Sequence, residues 1–202
     1  IGDGSPLAGV ASAENRMTSR SWSDQVDLLI RARTPLIWIR SQEESRVQAL
    51  LSQTAQRLQR RLACWDFIDG LSGVLNADGL GRRQPMAVLE WLQALPQTSP
   101  TLLLVKDFHR FCDDPGIARM LRNLSSALRE TPHARLLCSG PWKPPTELEE
   151  TLTLLDLPLP DSKDLAKLLS SIASASGTTL AAGVLEELTR ACSGLSEMRV
   201  RQ

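Results

Sequence analysis

Residues 100–107 read Pro-Thr-Leu-Leu-Leu-Val-Lys-Asp, and they contain the most apolar strand pattern of the chain. The run Leu102–Val105 has the length of a strand and lies between a proline and an aspartate, so it predicts a strand that is buried on both faces. Apolar residues recur at helical spacing on either side of it, over residues 85–95 and 117–128. A strand between two helices needs crossover connections, which favour a parallel sheet covered by helices on both faces.

The same alternation of strand and helix patterns extends along most of the chain. The strand patterns cover residues 36–39, 64–68, 102–105, 134–138 and 152–157, and the helical patterns cover residues 22–33, 42–62, 85–95 and 117–128. A glycine-containing loop is predicted from Asp69 to Gln84. We therefore predict an α/β fold with a parallel five-stranded sheet sandwiched by helices. Numbered along the chain, its strands should lie in the order 5-1-4-3-2, because the most continuously apolar strands belong in the interior.

The pattern changes after Pro158 and Pro160, where only helical patterns follow. These predict a small helical lid over residues 161–202, after an α/β domain over residues 17–160. Residues 1–16 are rich in Gly, Ala and Ser and show no periodicity, so they are predicted to be a remnant of cloning for expression, with Met17 as the natural start. Ser196 is predicted to cap a last helix that stops at once, which indicates a chain cut from a longer protein.

Composition excludes several classes of function. The 202 residues include 23 Lys+Arg and 23 Asp+Glu, so the formal net charge is zero and nucleic-acid binding is disfavoured, despite basic patches at Arg57, Arg60, Arg61 and at Arg119, Arg122, Arg129. Four scattered cysteines and two histidines argue against a zinc site or a disulfide scaffold, and predict reduced, buried thiols. No apolar run approaches the roughly 18 residues that span a bilayer, so we expect a soluble, cytoplasmic protein without a membrane partner.

The residues that follow the first strand decide whether a phosphate can bind there. A phosphate-binding loop needs glycines followed by Lys and Ser or Thr, whereas this chain has Ser41-Gln-Glu-Glu44. This spacing predicts a capping box, in which Ser41 and Glu44 satisfy each other's backbone amides. Two carboxylates at the positive end of a helix would also repel a polyphosphate. We predict that the chain has no phosphate loop and does not bind ATP with useful affinity.

Asp107 and His109 are the remaining candidates for chemistry. Asp107 ends an apolar strand, as does the aspartate that orients Mg²⁺ in nucleotide hydrolases, but it lacks the Lys-Ser/Thr partner. His109 has no nearby nucleophile in sequence. The loop with Gly70, Gly73, Gly79, Gly81, Arg82 and Arg83 lacks the spacing of a dinucleotide fingerprint. We predict no catalytic, cofactor-binding or metal-binding residue; an enzyme site built from Asp107, His109 and this loop is the alternative.

The order of the motifs resembles an AAA-type module. The segments that carry the likeness are the Asp107 strand, the strand that ends Leu136-Leu-Cys-Ser139, where such modules keep a polar sensor, and the lid with Gly194-Leu-Ser196. More closely, the chain is similar to the N-terminal region of AAA-type ATPases encoded in cyanobacteria and some plastid genomes as a hypothetical reading frame. That likeness covers about residues 22–200 and includes Thr34-Pro-Leu-Ile-Trp-Ile39, Glu43-Glu-Ser-Arg46, Val105-Lys-Asp-Phe-His109, Pro144-Pro-Thr-Glu-Leu-Glu149 and Asp156-Leu-Pro-Leu-Pro-Asp161.

The resemblance implies a degenerate relative of the catalytic module, which would lie with its ATP and Mg further along the polypeptide. No ATP-binding residue of the family carries over to this chain. The implied role is regulation, substrate recruitment or assembly in a larger ATPase. The implied partners are its own C-terminal ATPase module, other protomers of an AAA-type oligomer and a protein substrate. The alternative is an inactive AAA-like subunit of a separate assembly, in the manner of clamp-loader subunits.

Overall fold

The structure, a computed structural model, describes residues 21–131, 133–139 and 142–202, and of residues 134–139 only the backbone. The predictions for residues 1–16 and Met17 lie outside the described residues. The strands are β1 (Leu36–Arg40), β2 (Arg61–Asp66), β3 (Gly70–Ser72), β4 (Thr101–Lys106), β5 (Ala134–Ser139) and β6 (Thr153–Asp156). The helices are α1 (Trp22–Arg31), α2 (Glu44–Arg57), α3 (Pro85–Ala94), α4 (Pro115–Leu128), α5 (Thr146–Glu149), α6 (Ser162–Ala175), α7 (Ala182–Ala191) and α8 (Glu197–Val200), with one 3₁₀ turn at Phe108–Phe111.

The sheet has the order β3-β2-β4-β5-β1-β6. Its five main strands are parallel, and their order β6-β1-β5-β4-β2 confirms the predicted order 5-1-4-3-2. The sixth strand, β3, pairs antiparallel with β2 at the edge, so the predicted count of five is one too few. The sheet therefore has a parallel interior and one short antiparallel edge.

The apolar runs of the sequence are explained by burial on both faces of the sheet. Leu103 and Val105 of β4 face a cluster that includes α3 and α4, whereas Leu102 and Leu104 face a cluster that includes α1 and α2. All four side chains are fully buried. Every position of this strand must therefore be apolar, and polar groups are confined to the ends of the strands.

The region between α2 and β2 differs from the prediction. The helix was predicted to continue to about residue 62, but it ends at Arg57, and Leu62 belongs to β2. Gln59 has a φ of 52°, and the N–H of Arg60 donates to the carbonyl of Ala55 at 2.8 Å, which closes the helix. Since the leucine spacing continues through this turn, periodicity alone does not show the break.

The predicted loop 69–84 contains the edge strand β3. Oδ1 of Asp66 accepts hydrogen bonds from the N–H groups of Ile68 and Asp69, at 2.9 and 2.8 Å, and so turns the chain back on β2. Gly70 follows with a φ of 76°. The backbone of Gly70 packs closely against the rest of the loop, because a Cβ at Gly70 would lie 2.7 Å from the carbonyl oxygen of Gly79. The hairpin therefore depends on a glycine at residue 70.

Helices α6, α7 and α8 follow the sheet. Asp161 accepts a hydrogen bond from the N–H of Asp164 at 2.8 Å and caps α6, and Ser196 caps α8 as predicted. Leu165 and Leu168 of α6 are buried, but α7 has no buried residue. No helix within the described ranges is long and apolar enough to cross a membrane. The predicted boundary between residues 160 and 161 remains a prediction.

The cysteines lie in packed surroundings where the structure describes them. Cys64 and Cys112 are buried and Cys192 is half-buried, while the side chain of Cys138 lies outside the described part. Burial raises the pKa of the Cys112 thiol to about 12. Such a thiol stays protonated at neutral pH, which makes it a small apolar core residue rather than a nucleophile.

The hairpin can be tested by comparing two glycines. Gly70→Ala should lower the free energy of unfolding by more than the roughly 1–2 kcal/mol that a left-handed alanine costs, because its Cβ also meets a backbone carbonyl. Gly177→Ala is the matched control, since Gly177 has a φ of 72° and nothing lies within 4 Å of its Cβ position. Urea denaturation measures both. Equal losses would contradict the close approach at Gly70.

A second test concerns His133, which is 4% exposed and whose Nδ1 accepts a hydrogen bond from the N–H of Thr101 at 3.3 Å. Burial lowers the pKa of His133; the carbonyls of Leu95 and Pro96 raise it and the charge of Arg60 lowers it again. In the unfolded chain His133 therefore binds a proton near pH 6.5, whereas in the folded chain it stays neutral at that pH. The free energy of unfolding should consequently fall as the pH drops below about 6.5.

His133→Asn keeps an acceptor at this position but removes the titration. Urea unfolding between about pH 7.5 and about pH 5.5 should therefore show a smaller loss of stability in this variant than in the unmodified chain. His109→Asn is the control, since His109 is less buried and its substitution should change the pH dependence less. An unchanged pH dependence in His133→Asn would refute the assignment.

Candidate functional site

The carboxyl edge of the sheet collects the polar ends of the strands. Arg40 and Asp156 are register partners at the ends of β1 and β6, and their side chains form two hydrogen bonds of 2.7 and 2.6 Å. At the end of β2, Asp66 is engaged in the hairpin turn described above. In open parallel sheets ligands bind at this edge, so the loops that leave it form the candidate site.

The connection between β1 and α2 does not form the predicted capping box. Oγ of Ser41 accepts a hydrogen bond from the N–H of Glu43 at 3.0 Å, not from Glu44, and Glu43 is the N-cap residue of α2 without a side-chain cap bond. The prediction was wrong, and Glu43 instead bonds to Arg46 and to the N–H of Glu197. The connection is Ser-Gln-Glu, with neither glycine nor lysine.

Glu44 lies within electrostatic reach of other charged side chains of this edge. Burial raises the pKa of Glu44, and the negative charge of Asp107 raises it further, while Lys106 lowers it and Asp66 raises it. The first turn of α2 therefore brings a half-buried carboxylate into the electrostatic field of Asp107. In a nucleotide hydrolase the corresponding neighbours of such an aspartate are cationic and hydroxylic groups that hold phosphate and Mg²⁺.

Glu43 forms the centre of a buried charge cluster with Arg46. The side chains of Glu43 and Arg46 are 10% and 8% exposed, and Oε2 of Glu43 lies 3.1 Å from Nη1 of Arg46. The same Nη1 donates to the carbonyl of Pro158 at 2.6 Å, and Nε of Arg46 lies 3.4 Å from Oε1 of Glu197. Oε1 of Glu43 accepts a hydrogen bond from the N–H of Glu197 at 2.5 Å. We call these residues, Glu43, Arg46 and Glu197, the arginine hub.

The arginine hub joins the first helix after β1 to the helical segment that ends the chain. Glu43 adds a second acceptor at the N-terminus of α8, beside the cap supplied by Ser196, where a negative charge is favourable. Asp164 of α6 adds a weaker ion pair to Arg46, at 3.8 Å. A cavity of about 360 Å³ lies beside the hub. The sequence contains one signal for it, the i, i+3 spacing of Glu43 and Arg46, but Glu197 is too distant in sequence to be found that way.

Asp107 and His109 flank a rigid aromatic turn. Asp107 has a φ of 50° and begins the 3₁₀ turn, and Phe108 is fully buried with its ring 5.7 Å from that of Trp65. Burial lowers the pKa of the half-buried His109; Arg110 lowers it further and Asp107 raises it. In the described part of the chain, no group of three or more His, Cys, Asp or Glu side chains is arranged to hold a metal ion.

The glycine loop closes against the edge strand. The N–H of Leu71 donates to the carbonyl of Leu80 at 2.9 Å, the N–H of Gly79 to Leu71 at 2.8 Å, and the N–H of Arg83 to Phe67 at 2.9 Å. These hydrogen bonds hold the loop against β3, so it forms part of the hairpin. Ser139, the predicted polar sensor, pairs with Arg40 in the register of β5 and β1, but its side chain lies outside the described part.

One arginine of each predicted basic patch forms an ion pair with a carboxylate. Arg57 forms an ion pair with Asp27 at 2.9 Å, and Arg122 forms one with Glu147 at 2.7 Å. Asp114 accepts a hydrogen bond from the N–H of Ile117 at 2.9 Å and caps α4. Arg57 and Arg122 therefore serve ion pairs, and Asp114 serves a helix end.

Sequence reasoning missed a cavity of about 890 Å³ beside the ends of β1 and β6. Trp142 lines it and stacks on the buried ring of Trp38, with ring centroids 4.0 Å apart. The available signal was a tryptophan inside a proline-rich turn. Arg40 and Asp156 also line this cavity, but they neutralise each other, so we assign it no ion.

Comparison with known proteins identifies relatives of this chain. Residues 22–157 match the family described as SpoVK-like AAA ATPase, N-terminal domain. The AAA domain-containing protein ycf46 of Trieres chinensis is 34% identical over 182 residues, which are 90% of this chain and 37% of that protein. The ycf46 protein of Guillardia theta is 34% identical over 87% of this chain and 35% of its own length. The chain thus spans little more than a third of these relatives.

Solved structures show the same fold at low sequence identity. A katanin structure concerned with self-assembly superposes with a TM-score of 0.61 and 12% identity, covering 98% of this chain and 76% of katanin's. The FIGL-1 AAA domain in complex with ADP superposes with a TM-score of 0.59 and 12% identity, covering 98% of this chain and 70% of the other. The fold is that of an AAA domain, and the chain belongs to the SpoVK-like AAA ATPase N-terminal domain family.

Proposed function

We propose that this chain is a non-catalytic AAA-family domain that serves regulation, substrate recruitment or assembly within a larger ATPase. The observation that carries the proposal is the arginine hub, in which Glu43 occupies the helix end where P-loop proteins hold phosphate. A protein carboxylate would thus permanently occupy the helix end that a nucleotide phosphate occupies only while it is bound in a catalytic AAA module.

Electrostatics supports this proposal. Glu43 and Glu44 contribute two carboxylates to the start of α2, and Asp107 adds a third charge to the field around Glu44. Each pair of like charges about 4 Å apart costs about 1 kcal/mol in water and more in a cleft. A triphosphate would meet these carboxylates without a lysine or glycine backbone to offset them. A single Asp107 carboxylate would also be a poor site for Mg²⁺, which dehydrates reluctantly.

The exposed surface of the lid supports a role in assembly. Val184 and Leu188 of α7 are 47% and 38% exposed, and Met198 of α8 is 52% exposed. Apolar groups that a chain leaves in water favour association with another surface. The proposed partners are the family's C-terminal ATPase module, other protomers of an AAA-type oligomer and a protein substrate. In this proposal ATP and Mg²⁺ belong to that further module, which hydrolyses ATP, and the protein works in the cytoplasm.

The arginine hub can be tested by removing its cation. Arg46→Ala leaves the Glu43 carboxylate buried without its partner, so the free energy of unfolding should fall by about 3–5 kcal/mol. Urea denaturation measures this loss. Hydrogen exchange at the Glu197 amide should accelerate as well, because that N–H depends on Glu43.

Arg57→Ala is the control for the hub. Arg57 also pairs with a carboxylate, Asp27, but its side chain is 47% exposed, so its loss should cost less than about 1 kcal/mol. If both variants lose the same small amount, and the Glu197 amide exchanges as before, the hub does not hold the lid.

The absence of a nucleotide site can be tested by titration calorimetry with Mg-ATP. The chain should show no micromolar binding, because the start of α2 offers carboxylates where a triphosphate needs amides and a lysine. Asp107→Ala is the diagnostic variant. Micromolar binding that vanishes in Asp107→Ala would show a working nucleotide site and would overturn the proposed function.

A further inference from the structure

A polar cavity of about 380 Å³ opens at the opposite edge of the sheet, beside the amino ends of β1 and β6. Its volume lies at the lower end of the range for small-ligand sites. Two guanidinium groups and three hydroxyl groups contribute to its lining, together with one carboxylate: Arg33, Arg129, Thr34, Thr151, Thr153 and Glu150. The cavity is thus rich in hydrogen-bond donors and has no part in the arginine hub.

Arg33 occupies a backbone position that favours glycine. The N–H of Arg33 donates to Ile30 at 3.1 Å and the N–H of Thr34 donates to Leu29 at 2.9 Å, which is the pattern that closes a helix with a left-handed residue. The φ of Arg33 is accordingly 58°. Glycine adopts this conformation without strain, so the backbone gives no reason for an arginine here. Arg33 itself lines the cavity.

Positive charge accumulates around this cavity although the chain as a whole is neutral. Neither Arg33 nor Arg129 forms an ion pair with a carboxylate within the described ranges, even though Glu150 lines the same cavity. The pKa of the half-buried Arg60 is lowered by burial and then by the charges of Arg31 and Arg33. Arginines at the ends of α1 and α2 therefore lie within electrostatic reach of one another.

We propose that this cavity binds a small anion through a phosphate group, with Arg33 and Arg129 as its charged contacts and the threonine hydroxyls as further donors. Guanidinium groups match the geometry of phosphate oxygens. The lining has no aromatic ring on which a base could stack, and its one carboxylate, Glu150, would repel the backbone of a polynucleotide. The ligand is therefore a free phosphate or a small phosphorylated molecule rather than RNA.

The experiment measures binding of inorganic phosphate and of tripolyphosphate by calorimetry without Mg²⁺ at low salt. At least one of the two should bind with a Kd below about 1 mM, and added chloride should weaken it, because the contacts are exposed charges. A single-stranded RNA oligonucleotide is the third arm. Inorganic phosphate as the better ligand indicates a free-anion site, and tripolyphosphate as the better one indicates a phosphorylated molecule.

Arg33→Gly separates binding from folding. It should weaken binding about tenfold, since a charged hydrogen bond is lost, and should raise Tm by about 2 °C, since the strain is relieved. Gln59→Gly is the matched control: Gln59 has the same place at the end of α2, with a φ of 52°, but does not line the cavity. It should raise Tm equally and leave binding unchanged. Arg129→Gln should weaken binding as Arg33→Gly does.

The proposal is overturned if neither phosphate binds, if Arg33→Gly and Arg129→Gln leave binding unchanged, or if RNA binds and both phosphates do not. Failure of this proposal can be distinguished from failure of the proposed function. Weak binding of ATP that survives Asp107→Ala and disappears in Arg33→Gly belongs to this cavity. Such a result would support the phosphate site and would leave the proposed non-catalytic function unchanged.

Discussion

Burial of the parallel strands on both faces is the constraint on which the rest of this structure depends. Leu102–Val105 is apolar at every position because α3 and α4 cover one face of the sheet while α1 and α2 cover the other. A polar group within such a strand would be buried without a partner, at a cost of several kcal/mol. Charged and hydrogen-bonding residues are therefore displaced to the two edges where strands begin and end. Both edges carry charges of both signs: strands end at Arg40, Asp66, Lys106 and Asp156, and Arg33, Arg129 and Glu150 lie at the other edge.

At the carboxyl edge, Glu43 stands at the start of the helix that follows β1. A helix N-terminus after the first strand attracts negative charge whichever group supplies it. Glu43 supplies the charge from within the chain, and Arg46 then makes its burial tolerable by pairing with it at 3.1 Å. Because Arg46 also contacts Pro158 and Glu197, the same pair fixes the lid against the sheet. Burying an ion pair adds little stability, so we infer that its main contribution is to specify this one arrangement of lid and sheet.

The sequence predicted what depends on periodicity and missed what depends on distant partners. The order of the five parallel strands follows from apolar runs and crossover helices, and it was confirmed. β3 was missed because its three residues have no readable period and exist as a strand through the turn made by Asp66 and Gly70. The capping box of Ser41 and Glu44 was wrong because local spacing competes with tertiary contacts. Glu43 bonds to Glu197, 154 residues later, and Glu44 lies in the electrostatic field of Asp107.

Under the proposed function, this domain would differ from a nucleotide-binding AAA module in what holds its last helices. Where a bound nucleotide bridges sheet and lid, the bridge exists only while the ligand is present, and the angle between the two parts can follow its binding and release. Here the bridge is made of Glu43, Arg46 and the N-terminus of α8, which are always present. A ligand can shift a conformational equilibrium only by its differential affinity for the two states, and no nucleotide is needed to hold this one. Under the proposed function, the exposed apolar residues of α7 and α8 form a surface for attachment within a larger assembly.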